Sequence, residues 1–355
     1  MSPQILRAGE WFVRSGIQLP DGGVARYYRA DTGYNEPVST EITGYSASAL
    51  VYLHSLTAEQ IYLDRAVAAA RFLSRTAWDA AAGVMPFELD PRRFTYFFDC
   101  GIVVRGLLAA WRASGEDEFR SVAIELGRRM GAYFVSADGD LHPILGLPGR
   151  EPIERDPLSW SRSPGCYQLK AAMAWHDLFE ATGDAAFRRL YQDALEFALV
   201  HWPDFLPGHP ERLRVMDRLH AFSYFLEGLL PRAVDPRCAA ALADGIARVQ
   251  HYLYEIRPHF VRSDVYAQLL RIRLFADWAG AVPLDHRAAC HEADALTEFQ
   301  ASSDDPRIDG GFYFGRNSSG WIPHINPVST AFAMQALALW ECRAEGAQPH
   351  RHLLI

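Results

Sequence analysis

Apolar residues follow two alternating patterns along the chain. Residues 44–56 (GYSASALVYLHSL), 99–113, 165–181, 220–230, 264–279 and 327–344 are apolar nearly all round and rich in Ala, Gly and Ser. Residues 3–16, 58–76, 117–135, 185–202, 236–255 and 283–300 instead carry charges along one face at helical spacing. A helix without a polar stripe is buried, whereas one with a stripe faces water. Six of each kind in strict alternation predict an inner and an outer ring of helices. The expected fold is all-α: six helical hairpins closing into an (α/α)6 toroid as a single domain over residues 1–355.

The junctions repeat as well. Three inner-to-outer turns, SLTAEQIYLDRA, ASGEDEFRSVA and ATGDAAFRRLYQDA, join a tight turn to a polar helix start with an aromatic shortly after it, at Tyr62, Phe119 and Phe187. Glycine is expected as the helix C-cap in these turns, and an internal repeat of roughly 60 residues means a helical array. The outer-to-inner connections, residues 17–43, 77–98, 136–164 and 301–326, are longer and rich in Gly, Pro and aromatics. Asp21-Gly22-Gly23 in the first recurs as Asp309-Gly310-Gly311 in the last, and Asp-Gly before alternating residues predicts short β-hairpins. The long loops should share one face and the tight turns the other.

Composition narrows the function classes. The chain has 355 residues, 49% of them hydrophobic, with a formal net charge of −8. The basic field expected of a nucleic-acid binder is absent. No apolar run approaches the roughly 20 residues that span a membrane, and the first residues have no apolar signal core. Five cysteines without paired short spacing read as reduced thiols. These features predict a cytoplasmic protein without membrane or nucleic-acid partners; its oligomeric state is left open.

Six small-residue inner helices, six amphipathic outer ones and long aromatic loops resemble the (α/α)6-toroid carbohydrate-active enzymes. These include glycoside hydrolases, polysaccharide lyases, and the N-acylglucosamine 2-epimerase and glucuronyl C5-epimerase groups. The resemblance covers nearly the whole chain at the level of architecture and implies a sugar or small oligosaccharide substrate. A shorter likeness is local. RLHAFSYFLEGL, read with His220 at a helix head and Glu227 two turns on, resembles the His-containing eighth helix of the 2-epimerases. Cys166 and the Cys290–His291 pair resemble the zinc ligands of lanthipeptide cyclases, but the latter two fall within a charged outer helix. No metal or other cofactor is expected.

In such a ring the inner helices run parallel, so their N-termini and the long loops meet at one end, where unpaired N–H groups face the pocket. That rule selects Glu41 and Tyr45; Asp99 and Cys100; Trp160, Arg162 and Tyr167; His220 and Tyr224; Arg262, Asp264 and Tyr266; and His324 and Asn326, and the long loops add Tyr27, Tyr28, Tyr34, Asn35, Tyr96 and Tyr313. Glycoside hydrolysis needs two carboxyl groups. Glu41 is the expected general acid, raised by the aromatic surroundings of Tyr34 and Tyr45. Asp99 or Asp264 is the expected base, kept ionised by a helix N-terminus, with His324 and Arg262 holding the sugar. Two other chemistries fit the same list. A sugar epimerase or uronate lyase would move protons with His220, His324 or Tyr45 and hold substrate charge with Arg162, Arg262 or Asn326. A non-catalytic toroid would bind a glycan on its tyrosines. Arg162 and Arg262 make an acidic sugar such as a uronate the expected ligand. In the purely structural alternative, Asp99 and Asp264 are N-caps, while Ser39 or Thr40 caps the helix that carries Glu41.

Overall fold

A computed structural model describes residues 1–136, 139–343 and 350–355, and contains twelve α-helices among them. The chain divides into two compact units. One comprises residues 18–26 and 37–198. It holds α2 (Thr40–Thr57), α3 (Gln60–Arg71), α4 (Phe97–Ser114), α5 (Asp117–Phe134), α6 (Leu169–Thr182) and α7 (Ala185–His201). The other comprises residues 1–17, 27–36 and 199–355. It holds α1 (Pro3–Arg14), α8 (Arg212–Leu229), α9 (Pro236–Ile256), α10 (Ser263–Trp278), α11 (His286–Thr297) and α12 (Pro327–Cys342). Each unit is thus three helical pairs. The apolar helices pack on one another, α2 on α4 on α6 and α8 on α10 on α12, and the amphipathic ones cover them. Ala344, the last residue of the twelfth expected helix, and residues 137–138 of the third long loop lie outside the described residues.

Small residues set the inner spacing. A Cβ on Gly106 would sit 2.5 Å from the Gly44 carbonyl oxygen, and one on Gly101 2.5 Å from that of Ala171. The helix backbones of α2, α4 and α6 therefore approach through glycine, which explains the small-residue character of the inner set. The three repeated turns superpose in role. The residue after each inner helix is left-handed, Gly115 at φ 77° and Gly183 at φ 74°, and Tyr62, Phe119 and Phe187 are all buried. The first copy departs from expectation: Ala58, not glycine, holds the left-handed position, at φ 57°. An L-residue pays roughly 1–2 kcal/mol there. Ala58→Gly is accordingly expected to stabilise the protein by about 0.5–1 kcal/mol, after the looser unfolded chain offsets part of the gain. A denaturant midpoint that stays or falls would contradict this.

The long loops form three small antiparallel sheets. β1 (Tyr28–Arg29) lies between β2 (Tyr34–Asn35) and β9 (His324–Ile325). β3 (Phe94–Tyr96), β4 (Ile144–Gly146) and β5 (Glu151–Pro152) form the second sheet, and β6 (Phe260–Arg262), β7 (Gly315–Asn317) and β8 (Gly320–Trp321) the third. The two Asp-Gly-Gly repeats share one job. Gly22, at φ 98°, lies where a Cβ would meet the Ala68 carbonyl of α3 at 2.2 Å; Gly310, at φ 85°, lies where one would meet the Arg7 carbonyl of α1 at 2.3 Å. A glutamine fastens each turn. Gln18 donates to the carbonyls of Gly22 and Arg65, and Gln300 to those of Gly310 and Gln4.

Helix boundaries differ from expectation in one place that matters. The eighth helix starts at Arg212, so His220 lies in its middle, not at its head. Its first turn is exposed, with Leu213 between two arginines, and burial begins at Val215, which hid the start from an apolar-pattern reading. The expected outer helix over residues 58–76 ends in a π-helical turn from Phe72 to Ala77. No helix among the described residues is long and apolar enough to cross a membrane.

Candidate functional site

Glu41 and Asp99 occupy the first turns of the adjacent helices α2 and α4, at the second and third helical positions. Neither is an N-cap. The capping alternative also fails for their neighbours: Ser39 stands at the cap position without a side-chain bond, and Thr40 Oγ1 donates 2.8 Å to the Pro86 carbonyl. That bond and Thr40 N–H to Phe87 O at 3.2 Å tie the start of α2 to the loop before α4. Asp99 is buried, its Oδ2 has no hydrogen-bond partner, and Glu41 is half-buried. Neither carboxyl has a cationic partner among the described residues. Burial pushes Glu41 up to about 7. Burial first, and the Glu41 charge second, hold Asp99 well above the usual carboxylate range. The expectation that a helix N-terminus keeps Asp99 ionised is therefore overturned. A helix dipole supplies about 0.3–1 kcal/mol, less than the cost of burying an unpaired charge.

The surroundings of this pair are aromatic. Tyr96 is raised by burial and by the charges of Asp99, Glu88 and Glu41, with Arg162 pulling it back. Phe87 lies 5.3 Å from the Tyr96 ring, Phe98 6.2 Å from Tyr167, and Trp160 5.1 Å from Tyr167 in edge contact. Tyr45 is buried one turn after Glu41 on α2. Tyr167 donates to the Ser163 carbonyl at 3.1 Å and accepts from Gln168 Nε2 at 2.7 Å. Arg162 donates to the Glu154 carbonyl at 3.0 Å. The structure thus brings Glu41, Tyr45, Tyr96, Asp99, Trp160, Arg162 and Tyr167 into one unit. Two members escaped the sequence reading: Glu88, and Arg26, which pairs with it at 3.1 Å. Glu88 sits in the second long loop, but only the fold reveals its partner.

A second polar cluster forms in the other unit around His220. Nδ1 lies 2.8 Å from Gln268 Oε1 and 3.4 Å from Asp264 Oδ2. Both neighbours accept, so Nδ1 carries the proton and Nε2 keeps its lone pair. Burial lowers the imidazole to about 4, against the pull of Asp264, so it is neutral near pH 7. Arg262 grips Asp264 through Nε at 3.0 Å and Nη2 at 2.6 Å, and Asp217 through Nη1 at 2.8 Å. Asp264 is the second residue of α10 and stays ionised, held low by Arg262 and His220 against burial. With two carboxylates on one guanidinium, Arg262 contributes no net positive charge. The local positive field expected from it is absent. Tyr224 packs on His220 with ring centroids 4.5 Å apart. Gln268, one turn after Asp264 on the same helix face, lies beyond the first turn to which the helix-start rule applies.

The remaining expected residues have other surroundings. His324 is half-buried, stacks on Tyr27 at 4.4 Å, and is lowered by burial and by Arg29. Asn326 is the N-cap of α12, its Oδ1 accepting from Val328 and Ser329 N–H groups. Tyr313 stacks on Trp321 at 5.4 Å. Tyr34 is exposed on the β1–β2 hairpin and donates to Glu36 Oε1 at 3.2 Å, so it is no apolar wall. His291 Nε2 faces Arg257 Nη1 at 2.9 Å, and Cys290 Sγ faces Asp294 at 3.7 Å.

No protein-family model and no curated protein matches the chain. Solved structures do match in fold over nearly their full lengths. Cellobiose 2-epimerase from Spirochaeta thermophila aligns with a TM-score of 0.71 at 15% identity, covering 93% of this chain and 95% of its own. D-mannose isomerase gives 0.68 at 10% identity, with 95% of each chain covered. An unsaturated glucuronyl hydrolase from Streptococcus agalactiae gives 0.60 at 11% identity, with 95% and 90% covered. The fold is the (α/α)6 toroid of carbohydrate-active enzymes, with small sheets in its loops. The neighbours themselves divide between isomerising and hydrolysing enzymes, so the fold leaves the reaction open.

Proposed function

We propose that this protein is a carbohydrate-active enzyme that hydrolyses a glycosidic bond with Glu41 and Asp99. One observation carries the reading: two carboxyls on neighbouring helix starts, Asp99 buried and Glu41 half-buried among aromatics, with no cationic partner among the described residues. Such a pair holds one proton near neutral pH and titrates as a unit. Asp99, buried and held well above the usual carboxylate range, is the acid that protonates the leaving oxygen; Glu41, near 7 and half-buried, is the carboxylate that acts on water or the anomeric carbon. Trp160 and Tyr96 offer ring faces to a sugar, and Arg162 offers donors at the same site. The test is a panel of small oligosaccharides incubated in heavy water. Hydrolysis shortens the chain and creates a new reducing end. Unchanged chain length with deuterium fixed on carbon beside the carbonyl would sink it.

That second outcome belongs to a sugar epimerase or isomerase, which one observation favours separately. His220 is a neutral imidazole whose Nδ1 proton is held by Gln268 and Asp264, leaving Nε2 as a base. In this reading His220→Ala abolishes the deuterium exchange, whereas Glu41→Gln leaves it in place.

A further inference from the structure

A pocket of about 250 Å³ opens between the end of α9, helix α11 and the β6–β7 ladder, lined by Arg257, Val261, Tyr266, Glu298, Phe299 and Arg316 among others. Its cations are unusually uncompensated for a protein of net charge −8. Arg257 has no carboxylate partner among the described residues. Its guanidinium is held in place by His291, which accepts from Nη1 at 2.9 Å, and by the Tyr254 ring, 4.6 Å beneath it. An arginine can only donate, so His291 Nε2 is the acceptor in this contact. Arg316 has a loose pair with Glu298 at 3.6 Å, with both side chains about half exposed, and lies over the Trp321 ring at 5.2 Å. The wall behind these groups is aromatic: Tyr266 and Phe299 are buried and lie 6.2 Å apart. Counting Arg257, Arg316 and Glu298, the pocket carries one net positive charge. Opposite the cations its lining includes Val261, Ala295 and Phe299, together with Tyr266, whose hydroxyl is hydrogen-bonded to Arg257.

We infer that this pocket binds a small organic anion: a phosphate or carboxylate group received by Arg257 and Arg316, on a planar body seated against Tyr266 and Phe299. A guanidinium oriented in advance by stacking and a fixed hydrogen bond loses little freedom when it grips a planar or tetrahedral anion, which favours binding. The site is separate from both clusters described above, although Val261 in its wall is the neighbour on β6 of Arg262.

Titration of the full chain with phenyl phosphate, benzoate and inorganic phosphate, followed calorimetrically, tests this. Saturable one-to-one binding of phenyl phosphate or benzoate is expected, and whichever is tighter identifies the group. Arg257→Gln should weaken it on the order of tenfold or more, the loss of one charge-assisted contact. Arg316→Gln, on an exposed hairpin where folding is not at stake, should weaken it too, so the answer survives if the Arg257 variant misfolds. Three results would overturn the inference: no saturation by either aromatic anion up to about 10 mM, both folded variants binding like the parent, or inorganic phosphate binding as tightly as phenyl phosphate.

Discussion

Asp99→Asn is expected to cut turnover of a cleaved glycan by roughly 10²–10⁴-fold, the usual contribution of a general acid, while sugar binding persists. The amide keeps the shape and the neutral charge of the protonated acid but cannot deliver a proton. Glu41→Gln should be as severe, because the ionised partner is then missing. The rate should rise through about pH 7 as Glu41 loses its proton. Stability should move the other way. Glu41 titrates near 7 in the folded protein against its ordinary 4.5. The native state therefore binds the proton more tightly than the unfolded chain does. That contribution is complete below about pH 4.5 and lost as pH rises through 7. Relative to its behaviour in acid, Glu41→Gln should gain on the order of 2–3 kcal/mol over the parent above about pH 8. Denaturant unfolding at both pH values measures this. A variant that is inactive yet gains nothing in alkali would mean that Glu41 is not a desolvated carboxyl, and the site would lose its physical basis.

The second large effect concerns the spacing of the helices that carry this pair. Gly106→Val should destabilise the protein by about 3 kcal/mol or more, the upper range for overpacking. The new side chain meets backbone, the Gly44 carbonyl at 2.5 Å and the Gly44 Cα at 3.0 Å, and backbone cannot rotate away. Relief requires α2 and α4 to separate, which also moves Glu41 from Asp99. The same substitution should therefore lower activity in whatever fraction remains folded. Calorimetric melting reads the first effect, and activity per folded molecule the second. A melting temperature within a degree or two of the parent would show that the helices are not held at glycine distance.

Much of the architecture was legible because burial is periodic. Helices α2, α4, α6, α8, α10 and α12 are apolar around their circumference because neighbours surround them, and that pattern survives in one dimension. Turns are local too, so the copies ending at Gly115 and Gly183 declared themselves. What failed locally was the start of α8, where exposed Arg212, Leu213 and Arg214 look like loop, and the cap at Ala58, where the fold forces a non-glycine into a left-handed turn. Selecting residues at inner-helix starts found both carboxyls of the pair, because parallel helices place their first turns together.

The charge states were not legible. By itself the sequence determined the order and kind of the helices and marked Glu41, Asp99, Asp264 and His220 as groups to watch. Only the tertiary structure decided which carboxyl keeps its proton. Asp99 and Asp264 stand at nearly the same place on equivalent helices, yet one faces Glu41 in an apolar wall and is raised, while the other meets Arg262 and His220 and is lowered. The difference lies in partners far apart along the chain. A carboxyl's proton depends on the charges and water within a few ångströms of it, and that neighbourhood exists only once the helices have packed.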